Sequence, residues 1–301
     1  MTDIAGLHIE PTNICTLKCG GCGRTQFIEQ WPQHWRNHSL DIDVLLNFLD
    51  IDLAGKDIAL CGNYGDPIYH PEFIEFVQRL KERQAHLTIV TNGSYKTREW
   101  WEELTALLDS NDTVRFSVDG MPDSFTQYRI NADWESILVG MQVVAQSRCH
   151  SEWKCIAFAF NQADLDDIKK LSEDIGIKKF RMELSERFDE RLQYLAPDTS
   201  LIHKRYFPQV DWKTNNSDRR VEPRCGKGKE HFITADGHYS SCCYLVDHRF
   251  YYKTPFGKNK SDFDIQKYTL TELLQQPQTV DFYQNIEQNP LCQFTCPPLN
   301  G

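Results

Sequence analysis

The sequence predicts an α/β protein in which parallel strands alternate with helices. Six short apolar runs are separated by amphipathic stretches long enough for crossover helices. Short polar or glycine-rich motifs follow these runs, as they do at the carboxyl ends of barrel strands. We therefore expect a partial barrel of six βα units, a (βα)6 version of the eight-stranded TIM-like barrel. A doubly wound flat sheet is the alternative, but no G-x-G-x-x-G or P-loop motif favours it.

The predicted elements follow one another regularly. The first strand covers residues 7–10 and ends at Pro11, and a cysteine-rich loop then continues to about residue 26. Residues 27–38 are aromatic and irregular, and Ser39 and Asp41 offer an N-cap for a helix that continues to about residue 53. Later strands are predicted at 57–61, 86–91, 113–118, 153–160 and 177–183, and later helices at 71–84, 96–109, 133–147 and 164–175.

Composition limits the function classes. The 301 residues include 40% hydrophobic and 25% charged residues, which is usual for a globular protein with one large domain and a small appendage. A formal net charge of −10 does not favour binding to nucleic-acid polymers or to membrane surfaces. The sequence has neither a secretion signal nor an apolar run of the about 20 residues that a bilayer requires. Eleven cysteines in such a chain predict a cytoplasmic protein with metal ligation instead of disulfides.

Three cysteines lie close together in the first loop. Cys15, Cys19 and Cys22 are spaced C-x3-C-x2-C directly after the first strand. Structural zinc sites usually use four ligands in two pairs, whereas three thiolates fit three corners of a cubane iron–sulfur cluster and leave one iron open. A zinc site completed by a nearby histidine is the alternative.

This motif resembles the cluster motif of the radical S-adenosylmethionine (radical SAM) enzymes. The resemblance implies a 4Fe–4S cluster whose open iron chelates the amino and carboxylate groups of SAM. It also implies an electron donor such as flavodoxin or ferredoxin, and cleavage of SAM to methionine and a 5′-deoxyadenosyl radical. That radical abstracts a hydrogen atom from the substrate, so the resemblance indicates a radical-initiated enzyme, such as an oxidoreductase.

Further motifs match the positions at which this family contacts SAM. Residues 62–66 resemble the glycine-rich GGEP-type motif, with Asp66 in place of the usual glutamate, and residues 117–120 match S-x-D-G. Asn161 matches an asparagine after the fifth strand. For each motif the alternative is a local turn or a helix cap. The residues that the resemblance implies as SAM-binding are Gly62, Asn63, Tyr64, Gly65, Asp66, Ser117, Asp119 and Asn161.

Two positions near these motifs, the residue before the third cysteine and Arg129, bear on how SAM is bound. The family usually has an aromatic or apolar residue before the third cysteine, and this chain has Gly21 there. Adenine packing is therefore expected from elsewhere, for instance from Phe27 or Tyr64. We expect Arg129 to be an exposed loop residue, with pairing to the SAM carboxylate as the alternative.

The C-terminal region contains five more cysteines. Cys225, Gly237 and Cys242 form C-x11-G-x4-C, and the residues around Asp236-Gly237 predict a β-hairpin. The region resembles the SPASM/twitch extension of radical SAM enzymes, in its form with a single auxiliary cluster. The resemblance implies a second 4Fe–4S cluster with Cys225, Cys242, Cys292 and Cys296 as ligands. Zinc in place of iron, and Cys243 in place of Cys242, are the alternatives.

These observations predict three regions and a function. We expect a radical SAM barrel at 1–186, a connector at 187–220 and a cysteine-rich auxiliary domain at 221–301. Fewer than ten residues precede the first strand, which favours a small-molecule or nucleotide substrate over a peptide. A peptide-modifying maturase is the alternative within the enzyme class, and a non-catalytic zinc-binding protein is the alternative outside it.

Overall fold

The structure is a computed structural model that describes residues 4–184, 197–198, 225, 231–247, 251, 254–286, 292 and 296. These ranges include all eleven cysteines. Only two residues of the predicted connector 187–220 fall within them, so the predicted domain boundaries stay predictions.

One eight-stranded sheet organises the described residues, with the strand order β6-β5-β4-β3-β2-β1-β7-β8. All neighbouring pairs are parallel except β7 and β8. The strands are β1 (Gly6–Ile9), β2 (Asp57–Leu60), β3 (His86–Thr91), β4 (Thr113–Ser117), β5 (His150–Ile156), β6 (Lys179–Glu183), β7 (His231–Ile233) and β8 (Tyr239–Ser240).

The strand order confirms the predicted fold class. The first six strands lie side by side in chain order, because each βα unit adds its strand next to the previous one. A doubly wound sheet reverses its order at a switch point, and the described sheet has no such reversal among β1–β6. The architecture is therefore the α/β partial barrel that the sequence predicts.

Helices connect the parallel strands, and capping side chains fix where several of them begin. Asp41 accepts a hydrogen bond from the Val44 amide, and Thr97 accepts one from the Trp100 amide. None of the described helices is long and apolar enough to cross a bilayer. They are α1 (Gly23–Gln30), α2 (Ile42–Phe48), α3 (Phe73–Glu82), α4 (Arg98–Leu107), α5 (Trp134–Gln146), α6 (Leu165–Ile175), α7 (Pro255–Lys258), α8 (Leu270–Gln275) and α9 (Pro277–Gln284).

The main core lies between the sheet and its helices. Successive strand residues point to opposite faces, and Leu87 and Ile89 of β3 are both buried. The fully buried Trp101 of α4 contacts Phe116 of β4, with ring centroids 5.4 Å apart. The alternate strand residues face the barrel interior, where they line a cavity at the carboxyl ends. These residues are Val90, Ser117 and Lys154.

Two predicted elements differ from the structure. Part of the stretch expected to be irregular forms helix α1, and none of its eight residues is buried. Because α1 buries no apolar face, the sequence shows no helical periodicity there. Strand β5 covers His150–Ile156 and not 153–160. The apolar run continues past the strand because Phe158 and Phe160 stack on each other and pack near Tyr128.

The predicted C-terminal hairpin is present, but it does not stand apart from the barrel. Strands β7 and β8 pair antiparallel, and Gly237 adopts a φ of 79° in the turn between them. Strand β7 also pairs in parallel with β1, placing His231 opposite Leu7. The hairpin therefore extends the barrel sheet at its β1 edge, a long-range pairing that the sequence pattern did not predict.

Candidate functional site

The three early cysteines line one cavity, which we call the thiol cavity. Its volume is about 240 Å³, and it lies at the carboxyl ends of the strands. Cys15, Cys19 and Cys22 line it together with Cys61. The predicted SAM-binding residues that line the same cavity are Gly62, Asn63, Tyr64, Gly65, Asp66 and Ser117. Residues from several separate strand ends thus meet as the barrel topology requires.

The sulfur atoms of Cys15 and Cys19 have hydrogen-bond donors as neighbours. The Cys15 sulfur accepts from the Leu17 amide at 3.4 Å and from the Asn92 side chain at 3.6 Å. The Arg129 guanidinium lies 4.0 Å from the Cys19 sulfur. Burial raises the pKa of Cys15 to about 12. Burial also raises the pKa of Cys19 to about 11, and the nearby Arg129 guanidinium partly offsets this second increase. These thiols and their neighbours fit an iron–sulfur cluster, because hydrogen-bond donors directed at the sulfur atoms stabilise the thiolate form that binds iron.

A buried carboxylate holds the backbone of residues 62–66. One oxygen of Glu10 accepts hydrogen bonds from the Tyr64 amide at 2.7 Å and from the Gly65 amide at 2.9 Å. Burial raises the pKa of Glu10 to about 7. A Cβ atom on Gly65 would lie 1.8 Å from the Thr12 carbonyl oxygen, so only glycine fits this position. Sequence reasoning missed Glu10, for which the available signal was a single acid at the end of an apolar strand.

Asp66 forms the end of this loop. Its Oδ1 accepts from the Ile68 amide at 3.3 Å, which is the local turn that the sequence offered as an alternative. Its Oδ2 accepts from the Asn92 amide at 2.6 Å and from the Thr91 hydroxyl at 3.0 Å. Burial raises the pKa of Asp66 to about 6. The carboxylate therefore ties the loop after β2 to the end of β3.

Asp119 and Asn161 are not among the residues that line the thiol cavity, and their expected contact with the cofactor stays a prediction. Both are fully buried. Asp119 Oδ1 accepts from the Ile156 amide at 2.7 Å. Asn161 donates to the carbonyl oxygens of Asp119 and Ile156, and its own oxygen accepts from the Phe158 amide at 2.8 Å. Their polar atoms thus hold the strand ends of β4 and β5 together.

Arg129 is the cavity residue whose environment the sequence predicted wrongly. Its side chain is only 13% exposed, and its Nε lies 2.6 Å from Asp119 Oδ2. The Asp119 carboxylate holds the pKa of Arg129 above its ordinary value despite burial, so the guanidinium stays charged at the cavity wall. Ten residues separate the two partners in an irregular segment, where no periodic pattern reveals the pairing.

A second, larger cavity adjoins the thiol cavity. Its volume is about 570 Å³, and Tyr64 lines both cavities. We call it the aromatic chamber because the rings of Phe27, Trp31, Trp35 and Tyr64 line it. The two residues expected to pack on adenine, Phe27 and Tyr64, thus belong to this chamber, with ring centroids 6.5 Å apart.

The C-terminal cysteines also come together. Cys225, Cys292 and Cys296 are buried and Cys242 is half-buried. Burial raises the pKa of the Cys225 thiol, and the other three thiols raise it further, so the four lie within electrostatic reach of one another. Among the described residues, no three His, Cys, Asp or Glu side chains converge as ligands of a single metal ion. In a cluster, by contrast, each thiolate binds a different iron.

Comparison with known proteins gives the family. The model of the radical SAM superfamily matches residues 9–175, which is more than half of the chain and extends from β1 to the end of α6. The chain belongs to the radical SAM superfamily. Its members use a 4Fe–4S cluster and SAM.

One curated relative shares sequence over part of the chain. It is a tungsten-containing aldehyde ferredoxin oxidoreductase cofactor-modifying protein from Pyrococcus furiosus, 33% identical over 120 residues. The match covers 38% of this chain and 31% of that protein, so it spans about a third of the relative's length.

Solved structures share the fold over nearly the whole chain. Streptococcus suis SuiB has a TM-score of 0.62 at 12% identity, covering 96% of this chain and 68% of that one. The anSMEcpe structure with bound AdoMet and a peptide has a TM-score of 0.58 at 13% identity, covering 97% and 88%. BtrN in complex with AdoMet and 2-DOIA has a TM-score of 0.52 at 12% identity, covering 97% and 92%.

Proposed function

We propose that Cys15, Cys19 and Cys22 hold a 4Fe–4S cluster at which this chain cleaves SAM reductively. The observation that carries the proposal is the meeting of three thiols and a glycine-rich loop in one cavity at the strand ends. When bound, the cluster and SAM together supply a 5′-deoxyadenosyl radical, which removes a hydrogen atom from the substrate. An electron donor such as flavodoxin or ferredoxin is needed for this chemistry.

The chain's own residues then bind and orient SAM. Backbone carbonyls of residues 62–65 accept from the SAM ammonium group, because a glycine-rich backbone allows close approach. The charged Arg129 guanidinium at the cavity wall pairs with the SAM carboxylate. Asp119 positions Arg129, and Glu10 positions the loop.

We further propose that Cys225, Cys242, Cys292 and Cys296 ligate an auxiliary 4Fe–4S cluster. The mutual proximity of the four thiols supports this set. The effect of Cys242 on the pKa of Cys225 favours Cys242 over Cys243. Four thiolates leave no open iron, so such a cluster serves electron transfer or structure and not SAM binding.

The proposed substrate is a small molecule or a peptide. SuiB has been solved bound to its precursor peptide SuiA, and anSMEcpe with peptides, whereas BtrN has been solved with 2-DOIA. These neighbours support both substrate classes on one fold.

The test is reductive SAM cleavage by anaerobically reconstituted protein. With dithionite and SAM, the unaltered chain should produce 5′-deoxyadenosine and the Cys19→Ala variant should not. Cys149→Ala is the matched control, because Cys149 is a buried core thiol hydrogen-bonded to Ser147 and is not among the residues that line the thiol cavity. Production of 5′-deoxyadenosine by Cys19→Ala contradicts the proposal. Zinc in place of iron in the purified protein would favour the non-catalytic alternative.

A further inference from the structure

The aromatic chamber is built from four rings in mutual contact. Ring centroids lie 5.4 Å apart for Phe27 and Trp31, 5.8 Å for Phe27 and Trp35, and 6.0 Å for Trp35 and Tyr64. Three of the four rings come from α1 and the turn after it, and Tyr64 comes from the loop after β2. A volume of about 570 Å³ lies within the range of about 300–1,000 Å³ for ligand sites.

The wall of the chamber also contains a buried acid. Glu10 lines the chamber and is only 2% exposed. Asp236 lies close enough to raise the pKa of Glu10, but Asp236 is itself paired with Lys260 and accepts from the Thr234 hydroxyl at 2.6 Å. The charge of Asp236 is therefore compensated within the protein. Glu10, bonded only to neutral backbone amides, is the chamber's uncompensated acid among its described residues.

Four basic residues also line the chamber, and one of them, Lys260, is half-buried and paired with Asp236. His34, Arg36 and His38 line the chamber and are all exposed. The Arg36 guanidinium donates to the carbonyl oxygens of Gln33 and Trp35 at 3.0 and 2.7 Å, so it is directed at its own loop. Glu10 is thus the chamber's buried acid without a charged partner among the described residues, whereas the basic residues are exposed or, in the case of Lys260, paired with Asp236.

We propose that the aromatic chamber binds the cationic nitrogen of the substrate, an alkylammonium or guanidinium group, between its aromatic rings and Glu10. The faces of tryptophan, tyrosine and phenylalanine rings attract cations, and a buried carboxylate supplies the opposite charge. Because Tyr64 lines both cavities, a substrate held here lies next to the thiol cavity. The assignment of the bound molecule as substrate rests on the proposed function, whereas the binding itself does not.

The test is calorimetric titration of the anaerobically reconstituted protein in the presence of SAM at pH 8, where Glu10, whose pKa is about 7, is ionised. Phenethylammonium is compared with 2-phenylethanol, a neutral molecule of similar shape, and with 3-phenylpropionate, an anion. We expect the ammonium compound to bind at least about tenfold more tightly than the alcohol, because only the cation is attracted by both the rings and Glu10. A pentapeptide with a central lysine, compared with the same peptide containing norleucine, distinguishes a peptide source of the cation from a small amine.

Variants assign the preference to the chamber. Glu10→Gln should reduce the preference for the ammonium compound over the alcohol to the part that the rings supply, because the amide keeps an acceptor for the loop but no charge. Trp31→Leu should weaken binding of the ammonium compound, whereas Trp100→Leu, on α4 outside the chamber lining, should leave it unchanged. The proposal is overturned if the three compounds bind equally, if the anion binds best, or if Trp31→Leu leaves binding unchanged. It is also overturned if neither the phenyl compounds nor the peptides bind.

The two proposals fail separately. SAM cleavage without a preference for cations overturns the assignment of the chamber and leaves the proposed function intact. Cation binding by a protein that produces no 5′-deoxyadenosine overturns the proposed function and leaves the assignment of the chamber as a cation-binding site intact.

Discussion

The side-chain amide of Asn63 donates a hydrogen bond to the carbonyl oxygen of Cys243 at 2.9 Å, although 180 residues separate them. Tyr64 makes a parallel contact, in which its hydroxyl donates to the Val246 carbonyl oxygen at 3.3 Å. The loop that faces the thiol cavity is thus bonded to the 3-10 helix Cys243–Val246, which begins directly after Cys242. The two proposed cluster sites are therefore mechanically connected through neutral hydrogen bonds.

The first prediction concerns this connection. Asn63→Ala removes a hydrogen bond worth about 1 kcal/mol, and the loop it holds should bind SAM about fivefold more weakly. Iron content should not change, because no thiol is altered. Calorimetric titration with SAM measures the effect. Asn285→Ala, which removes an exposed bond within the end of α9, is the control and should bind SAM as the unaltered chain does. Equal loss of affinity in both variants contradicts the proposed connection.

The second prediction separates the adjacent cysteines. Cys242 lies near the other C-terminal thiols, whereas Cys243 faces Asn63 through its backbone carbonyl, which substitution of the side chain leaves in place. Cys242→Ser should therefore lose about half of the bound iron, since one of two fully loaded clusters loses a ligand. Cys243→Ser should keep the iron content of the unaltered chain. Iron and sulfide analysis after anaerobic reconstitution decides between them, and the reverse pattern would assign Cys243 as the ligand.

Local signals in the sequence predicted most of the fold. Apolar runs followed by polar motifs gave the six parallel strands and their order, because each βα unit depends on residues close in sequence. The Asp236-Gly237 turn gave the hairpin for the same reason. The pairing of β7 with β1 joins residues more than 200 positions apart, and no short-range pattern carries that information.

The side-chain environments of the site were harder to predict. Periodicity shows that a residue lies at a strand end, but it does not show whether its side chain faces the cavity or supports the wall. Ser117 lines the thiol cavity, whereas Asp119, two positions later, is buried and is not among the residues that line it. The burial of Arg129 depends on that carboxylate, and the role of Glu10 depends on the distant amides of Tyr64 and Gly65.

The third prediction concerns the buried ion pair. Asp119→Asn leaves the Arg129 guanidinium without its charge partner in a buried setting, which typically costs about 3–5 kcal/mol of unfolding free energy. Asp43→Asn is the matched control, because Asp43 and Arg79 form a pair with the same 2.6 Å separation on the exposed surface. Water screens that pair, so the control should not change stability measurably. Chemical denaturation of both variants measures the difference, and equal effects would contradict the assigned burial.

The fourth prediction concerns the loop backbone. The Cβ atom of Gly65→Ala would meet the Thr12 carbonyl and the Asn13 Cα, both backbone atoms that cannot rotate away. The loop must then move, and SAM affinity should fall by at least about tenfold, since a small misplacement of a binding group has large effects. Gly55→Ala meets no atom within 4 Å but occupies a φ of 69°, so it should cost about 1–2 kcal/mol of stability and keep SAM affinity. Unchanged SAM binding by Gly65→Ala would exclude this loop from the site.

The fifth prediction follows from the buried Glu10. Burial raises the pKa of Glu10 from 4.5 to about 7, so between these values the folded protein holds a proton that the unfolded chain has lost. The contribution of Glu10 to stability is therefore full below about pH 4.5 and is lost as the pH rises through about 7.

Other buried groups titrate in the same range, so the measurement must isolate Glu10. Asp66, with its pKa raised to about 6, acts in the same direction, whereas His8, with its pKa lowered to about 4, acts in the opposite one. Both are present in the unaltered chain and in Glu10→Gln, and the difference between the two proteins cancels them. The melting temperature of Glu10→Gln relative to the unaltered chain should rise steadily from about pH 5 to about pH 8. A difference that is constant or falls over this interval would mean that the Glu10 carboxyl ionises as an exposed acid does, and that the two loop amides are held by something else.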